Sequence, residues 1–393
     1  MNLKNTLSLL LLLGCVIPAQ AGSLELNNTF AKLEAGKPIQ VVVIGNSVTY
    51  GAAAGKERTI SFYWALKDWL LERYPKAEIR LQVSIIFAIG PELQLFRQEE
   101  KLFQYKPDLV LAEFGASNGA WGPAGRAVTD PATEGYLRRL RERMPECDVI
   151  LQSALFESMM EWHRRGEVPP TAAFISALGT HYQCLMSDAQ LALAEKLLAG
   201  TPWKELMNDG IHPSVKGYEV HSAVLRSALD KAWAAYQNEP GPIRAHPLPE
   251  KTLDPHPWTM PKLVPAASAT DIVGFQPATF GRFQGIAAAG TGASLTFRPE
   301  RGRCVGLLLR CPAEMGTLQL KVNDKWVELG IKSEPHAIEE DDPDRNTLLR
   351  HFFLADGLPL AWEELTLRTG ETTTPKATIE IISFLVVENF GGK

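Results

Sequence analysis

The chain has 393 residues, 45% apolar and 22% charged, the make-up of a folded protein too long for one small core, so two domains are expected. Its formal net charge of -5 leaves no basic excess to neutralise a phosphate backbone. That composition argues against nucleic acid as a partner and favours a neutral or sugar-based substrate, small or polymeric.

The first residues carry Lys4, an apolar run from Leu7 to Pro18, and Ala19-Gln20-Ala21 before Gly22, the charged, apolar and small-residue order of a secretory signal peptide over residues 1–21. Export to the periplasm or medium is expected. An alternative is lipid anchoring through Cys15, because Leu12-Leu13-Gly14-Cys15 resembles a lipobox. The apolar run is short for a bilayer and no later segment approaches about 18 apolar residues, so no transmembrane segment is expected.

From Ile39 onward continuous apolar runs alternate with helical stretches, the pattern of a parallel sheet buried on both faces. Strands are read at 39–44, 79–87, 109–114, 149–154 and 184–186. Helices are read at 61–74, 93–103, 136–144, 173–183, 189–198 and 214–236. Right-handed β-α-β connections fold these into one open sheet spanning residues 22–237.

Prolines 240, 242, 247, 249, 255, 257, 261 and 265 cannot sustain a helix or an inner strand, and residues 238–265 read as a linker. Short β-rich segments follow at 293–297, 304–310, 317–322, 326–329, 348–353, 364–368 and 378–387, which predicts a β-sandwich over residues 266–393. Cys304 and Cys311 could bridge across neighbouring strands of it, since export permits disulfides. No cysteine pair or nearby histidine has zinc-site spacing, and the acidic run Glu339-Glu340-Asp341-Asp342 with Asp344 lacks the alternation of a calcium loop. No metal and no cofactor are expected.

The chemistry-bearing residues sit where the predicted strands end. Gly45-Asn46-Ser47-Val48-Thr49-Tyr50-Gly51 follows the first strand, at the sheet edge where open α/β folds bind ligands. On its own this is a strand-to-helix loop with a capping serine. A phosphate loop does not fit, because Gly51 to Lys56 is one residue short and Glu57 replaces the magnesium-binding hydroxyl. A nucleophile elbow does not fit either, since Thr49 stands where glycine is required.

A serine becomes a nucleophile only with a base, and the base needs an orienting acceptor. Asn208-Asp209-Gly210-Ile211-His212-Pro213 supplies both three residues apart, with Pro213 at a helix start. The competing reading is an Asp-Gly turn with His212 merely exposed. Glu113-Phe114-Gly115-Ala116-Ser117-Asn118-Gly119 ends the third strand and offers an amide to a developing oxyanion, and Gly90 follows the second. Trp121, Trp162 and His163 offer stacking faces for a sugar or, equally, packing residues.

Taken in order, the Ser, Gly, Asn and Asp-x-x-His blocks between Ile39 and Tyr236 resemble the SGNH hydrolases, also called GDSL esterases. The resemblance implies an α/β, flavodoxin-like three-layer domain with a parallel sheet, here followed by a C-terminal all-β sandwich. It further implies Ser47 as nucleophile, His212 as general base, Asp209 orienting His212, and an oxyanion hole of Ser47 N–H, Gly90 N–H and the Asn118 side chain. Two positions depart from the family pattern: Asn46 replaces the usual aspartate, and Gly115 and Asn118 are separated by two residues, so that either Ser117 or Asn118 fills the third block. The expected activity is hydrolysis of an O-acyl ester, with O-acetyl groups on a carbohydrate favoured by export and the added sandwich. A lipase or lysophospholipase, and a non-catalytic carbohydrate-binding protein of the same fold, are the alternatives.

Overall fold

The computed structural model describes residues 25–52, 60–87, 90–114, 122–310, 312, 314–331, 348–352, 358–371 and 376–390. The N-terminal residues 1–21 with Cys15, and Ser117, Asn118, Trp121, Cys311 and the acidic run 339–344, lie outside the described residues.

The first domain runs α1 (Asn27–Glu34), β1 (Ile39–Gly45), α2 (Ser47–Tyr50), α3 (Phe62–Arg73), β2 (Ile79–Ile85), α4 (Pro91–Phe96), α5 (Gln98–Lys101), β3 (Leu109–Glu113), α6 (Gly122–Arg143), β4 (Asp148–Gln152), α7 (Met160–Arg164), α8 (Pro170–His181), β5 (Leu185–Ser187), α9 (Ala189–Leu198), α10 (Trp203–Leu206) and α11 (Val215–Asn238). Its five strands are all parallel in the order β2-β1-β3-β4-β5. Alternate residues of β1 feed opposite layers: Val41 and Val43 pack with Phe30, Trp69 and Leu225 of α1, α3 and α11, while Val42 and Ile44 pack with Leu93, Tyr136 and Leu178 of α4, α6 and α8. This is the three-layer α/β fold, and its strand order reverses between β1 and β3. Such a switch point opens a crevice at the carboxyl ends of the strands.

Two expected elements differ and one helix is additional. The helix expected at 93–103 is broken into α4, α5 and a 3-10 turn at Phe103–Tyr105, because the backbone leaves the helical region at Arg97 and Leu102. The helix expected at 136–144 is α6, which begins at Gly122 and carries Pro131 inside it. Helix α1, whose Asn27-Asn28-Thr29 start gives no apolar periodicity, was not expected.

The second domain contains β6 (Pro261–Pro265), β7 (Thr270–Val273), β8 (Gln276–Phe280), β9 (Phe283–Ala289), β10 (Ser294–Phe297), β11 (Arg303–Arg310), β12 (Leu318–Val322), β13 (Lys325–Leu329), β14 (Leu348–Phe352), β15 (Leu365–Thr369) and β16 (Thr378–Val387). They form two antiparallel sheets, β13-β12-β15-β10-β7 and β14-β11-β16-β9-β8. Phe297 of one sheet stacks on Phe384 of the other at 3.7 Å, so the inner faces close a sandwich. Strands β7 to β9 escape a sequence reading because β7 is exposed throughout, β8 contains Pro277 and β9 is alanine-rich. Cys304 is a buried free thiol. Its expected partner Cys311 lies outside the described residues.

The proline-rich segment is not a free tether. Its last five residues form β6, which pairs with Ser383 to Val387 of β16. Residues 239–260 have no helix or strand, yet they are strapped to the first domain. Asn27 and Asn28 of α1 bond the backbone of Gly241, Pro242 and Arg244 at 2.7 to 3.0 Å. His246 donates to Asp148 Oδ1 at 2.7 Å, and Glu134 of α6 accepts from Leu253 and Asp254 N–H. Trp258, buried to 1% exposure, meets Phe96 edge-on, and Leu93, Leu95 and Phe96 join Phe280, Ile382, Leu385 and Val387 in one core across the domain boundary. Arg282 and Glu100 close the rim at 3.0 Å.

Candidate active site

The chain leaves β1 at Gly45 and turns at once into the single helical turn α2. A side chain at position 45 would collide with the Thr49 hydroxyl at 1.9 Å, so only glycine lets the strand fold back this sharply. Asn46 caps the turn: its side chain accepts from Val48 N–H at 2.9 Å, and Thr49 Oγ1 accepts from Asn46 N–H at 3.4 Å. Asparagine and aspartate serve an N-cap equally, which accounts for Asn46 at a position where the family usually has aspartate. Thr49 also donates to the buried Glu113 at the end of β3 at 3.5 Å, and Ser61 donates to Thr49 O at 2.5 Å. Ser47 is thereby presented at the first position of α2, at the carboxyl end of β1.

The second loop is built from its own backbone. Asp209 Oδ1 accepts from Ile211 N–H at 2.8 Å and His212 N–H at 2.7 Å, and Asn208 N–H donates to His212 O at 2.8 Å. Met207 and Pro213 pair as an antiparallel bridge, and Trp203 Nε1 donates to Asp209 O at 3.0 Å. Gly217 lets α11 come up against this closure, since a Cβ there would stand 2.1 Å from Leu206 O. The His212 ring is thereby fixed at both nitrogens: Nδ1–H donates to Asp209 Oδ2 at 2.7 Å, and Ser47 Oγ–H donates to Nε2 at 2.9 Å. His212 is 24% exposed and Asp209 52%. Burial alone pushes the Asp209 carboxyl up, but bonds from the His212 backbone and ring and from Ile211 N–H outweigh it and hold the carboxyl below its ordinary value. Asp209 is therefore an acceptor that stays ionised.

The other residues singled out in the sequence have different fates. Gly90 caps the N-terminus of α4, beside the site because β2 neighbours β1, and its N–H points to the buried Glu92 Oε1 at 3.3 Å. Trp162 lies half-buried on α7 with the Arg165 guanidinium over its ring at 4.7 Å. The His163 ring accepts from the buried Gln190 amide rather than turning to solvent, and burial pushes it below the ordinary histidine value. Thr49, Ser61, Glu113 and Tyr218 were not expected at the site. They reach it from four separate elements, and no spacing rule links Tyr218 to a turn 170 residues away.

Among the described residues no helix is long and apolar enough to cross a membrane. Among curated proteins, none matches the chain. Two crystal structures of a two-domain esterase active on acetylated mannans, one co-crystallised with mannopentaose, superpose with TM-scores of 0.68 and 0.69 at 18% and 17% identity. They cover 93% of this chain and 94% and 95% of those chains, so the shared fold extends over both domains. Residues 43–220 match the model of the GDSL-like Lipase/Acylhydrolase family, a span that opens within β1 and closes just after Tyr218. The α/β domain thus matches the GDSL-like lipase/acylhydrolase family over residues 43–220, and that match supports a carboxylic ester hydrolase.

Proposed function

We propose that the protein is an exported serine esterase that removes O-acetyl groups from a carbohydrate through an acyl-enzyme. The observation that carries this reading is the unbroken chain Ser47 Oγ to His212 Nε2 at 2.9 Å and His212 Nδ1 to Asp209 at 2.7 Å. His212 takes the Ser47 proton as Oγ attacks the ester carbonyl, then returns it to the departing sugar hydroxyl. Water, activated by the same ring, releases acetate. Ser47 N–H, Gly90 N–H and the Asn118 side chain are the assigned oxyanion donors. The Gly90 contact to Glu92 is at the long end of a hydrogen bond, so a developing oxyanion can take that donor over. Asp209, kept ionised, steadies the imidazolium formed in each step.

Sugar as substrate is supported by the two-domain likeness to an esterase active on acetylated mannans and by a surface without basic excess. Export rests on the Lys4, Leu7–Pro18 and Ala19-Gln20-Ala21 pattern. The test is acetate release from acetylated mannan, acetylated xylan and p-nitrophenyl acetate by the wild type and Ser47→Ala. Serine-dependent release from a polysaccharide is expected. Release from the nitrophenyl ester alone removes carbohydrate as substrate, and unchanged release by Ser47→Ala removes Ser47 as nucleophile.

A further inference from the structure

The nucleophile and the base reside on separate loops 165 residues apart, yet their reacting atoms must hold a 2.9 Å contact. One buried side chain spans the two loops. Tyr218 lies in the first turn of α11, the helix that His212-Pro213-Ser214 leads into, and its hydroxyl donates to Val48 O in α2 at 2.9 Å, with Ala52 O a second acceptor at 3.4 Å. The ring is fully buried beside His221, so neither end of this strut is free to swing.

Resting on the assignment of Ser47 and His212 above, we propose that Tyr218 is a positioning residue that sets the Ser47–His212 separation by tying the base-bearing helix to the nucleophile-bearing turn. Ser61 and Glu113 also pin that turn, but from α3 and β3, elements that do not carry the base. The Tyr218 bond instead couples a movement of α11 to α2, so that base and nucleophile shift together. Burial first, and then the negative charges of Glu113 and Asp209, push the phenol well above its ordinary value, so the hydroxyl remains a donor across the working pH range.

The geometry makes Tyr218→Phe a clean probe. The ring that packs on His221 is kept, and Val48 O retains the Gly51 N–H at 3.2 Å, so the Val48 carbonyl is not orphaned. Tyr218 is fully buried and so has no surface for a substrate, whereas a misaligned nucleophile and base cost about ten- to a hundredfold in turnover. The experiment is a double-mutant cycle on p-nitrophenyl acetate, with fluorophosphonate labelling of Ser47 and the unfolding midpoint measured alongside. Tyr218→Phe is expected to lower kcat and the labelling rate about tenfold or more with KM unchanged and a midpoint near wild type. In the His212→Ala background, where no base remains to align, the same substitution is expected to have no further effect. A kcat within about twofold of wild type, or an equal loss in both backgrounds, overturns the proposal. Ser47→Ala is run beside it: if that variant retains turnover, the nucleophile assignment fails, whereas an inactive Ser47→Ala with a fully active Tyr218→Phe removes the positioning role alone.

Discussion

Two His–Asp pairs of equal length stand among the described residues, and their surroundings are opposite in kind. His212 meets Asp209 at 2.7 Å on a half-exposed loop at the carboxyl end of the sheet, and His246 meets Asp148 at 2.7 Å where the strap crosses the start of β4, with side-chain exposures of 7% and 0%. The second carboxylate oxygen separates them. Asp209 uses it on Ile211 and His212 N–H, rigidifying its own loop, whereas Asp148 uses it on Thr29 N–H at 2.6 Å, fixing the distant helix α1. The far ring nitrogen separates them again, for His212 Nε2 receives a serine hydroxyl. A His–Asp distance is thus no mark of chemistry; what the remaining atoms of the pair are given to hold decides it.

The largest effect that tests this contrast is on turnover. His212→Ala is expected to lower kcat by about four to six powers of ten while the urea midpoint barely moves, because little is buried behind the ring. His246→Ala should do the reverse, costing about 3 kcal/mol in urea unfolding by leaving Asp148 buried without its donor, with kcat of the folded enzyme unchanged. A stability loss at His212 and a turnover loss at His246 would break the comparison.

A third histidine sharpens it. His221 is wholly buried and stacked on Phe62, and its neighbour is the neutral Gln152 amide at 3.0 Å instead of a carboxylate. Burial drives its folded value down to about 3 from 6.5, so the unfolded chain binds a proton that the folded one refuses. Its contribution to stability is complete above the unfolded value and is lost as the pH falls below it toward 3. Between pH 7 and pH 5 that loss is about 2 kcal/mol, and His221→Phe should show a correspondingly shallower decline when urea unfolding is measured at both pH values. The smallest effect is expected from Asn46→Asp, which exchanges one good N-cap for another: stability should stay within about 0.5 kcal/mol and acetate release should persist.

The positions of Ser47, Asp209 and His212 were legible because each lies where a buried strand or an amphipathic helix begins or ends, and such boundaries announce themselves through apolar runs, Gly45 and Pro213. The parallel sheet was legible for the same reason. What could not be read were the bonds that join distant segments. Pro240 to Pro257 do forbid helix and strand, but nothing in that composition says that Asn27, Asn28 and Glu134 will satisfy the strap's backbone, or that Asp148 will hold His246. Strands β8 and β9 hide because β8 is a largely exposed edge strand broken by Pro277 and β9 is alanine-rich, so neither shows a clear alternation of its own. Gly90 and Glu92 meet through a two-residue local turn that looks like any strand end.

The strap also dictates the order in which the molecule can be assembled. Helix α1 emerges first, yet Asn27 and Asn28 find their partners only at Gly241 to Arg244, separations of 214 to 216 residues. Contacts of such long range bear the full loop-closure entropy before they return anything. The first of the described helices is therefore among the last to gain all its partners, because its bonds to the strap can form only after the chain has been synthesised past α11.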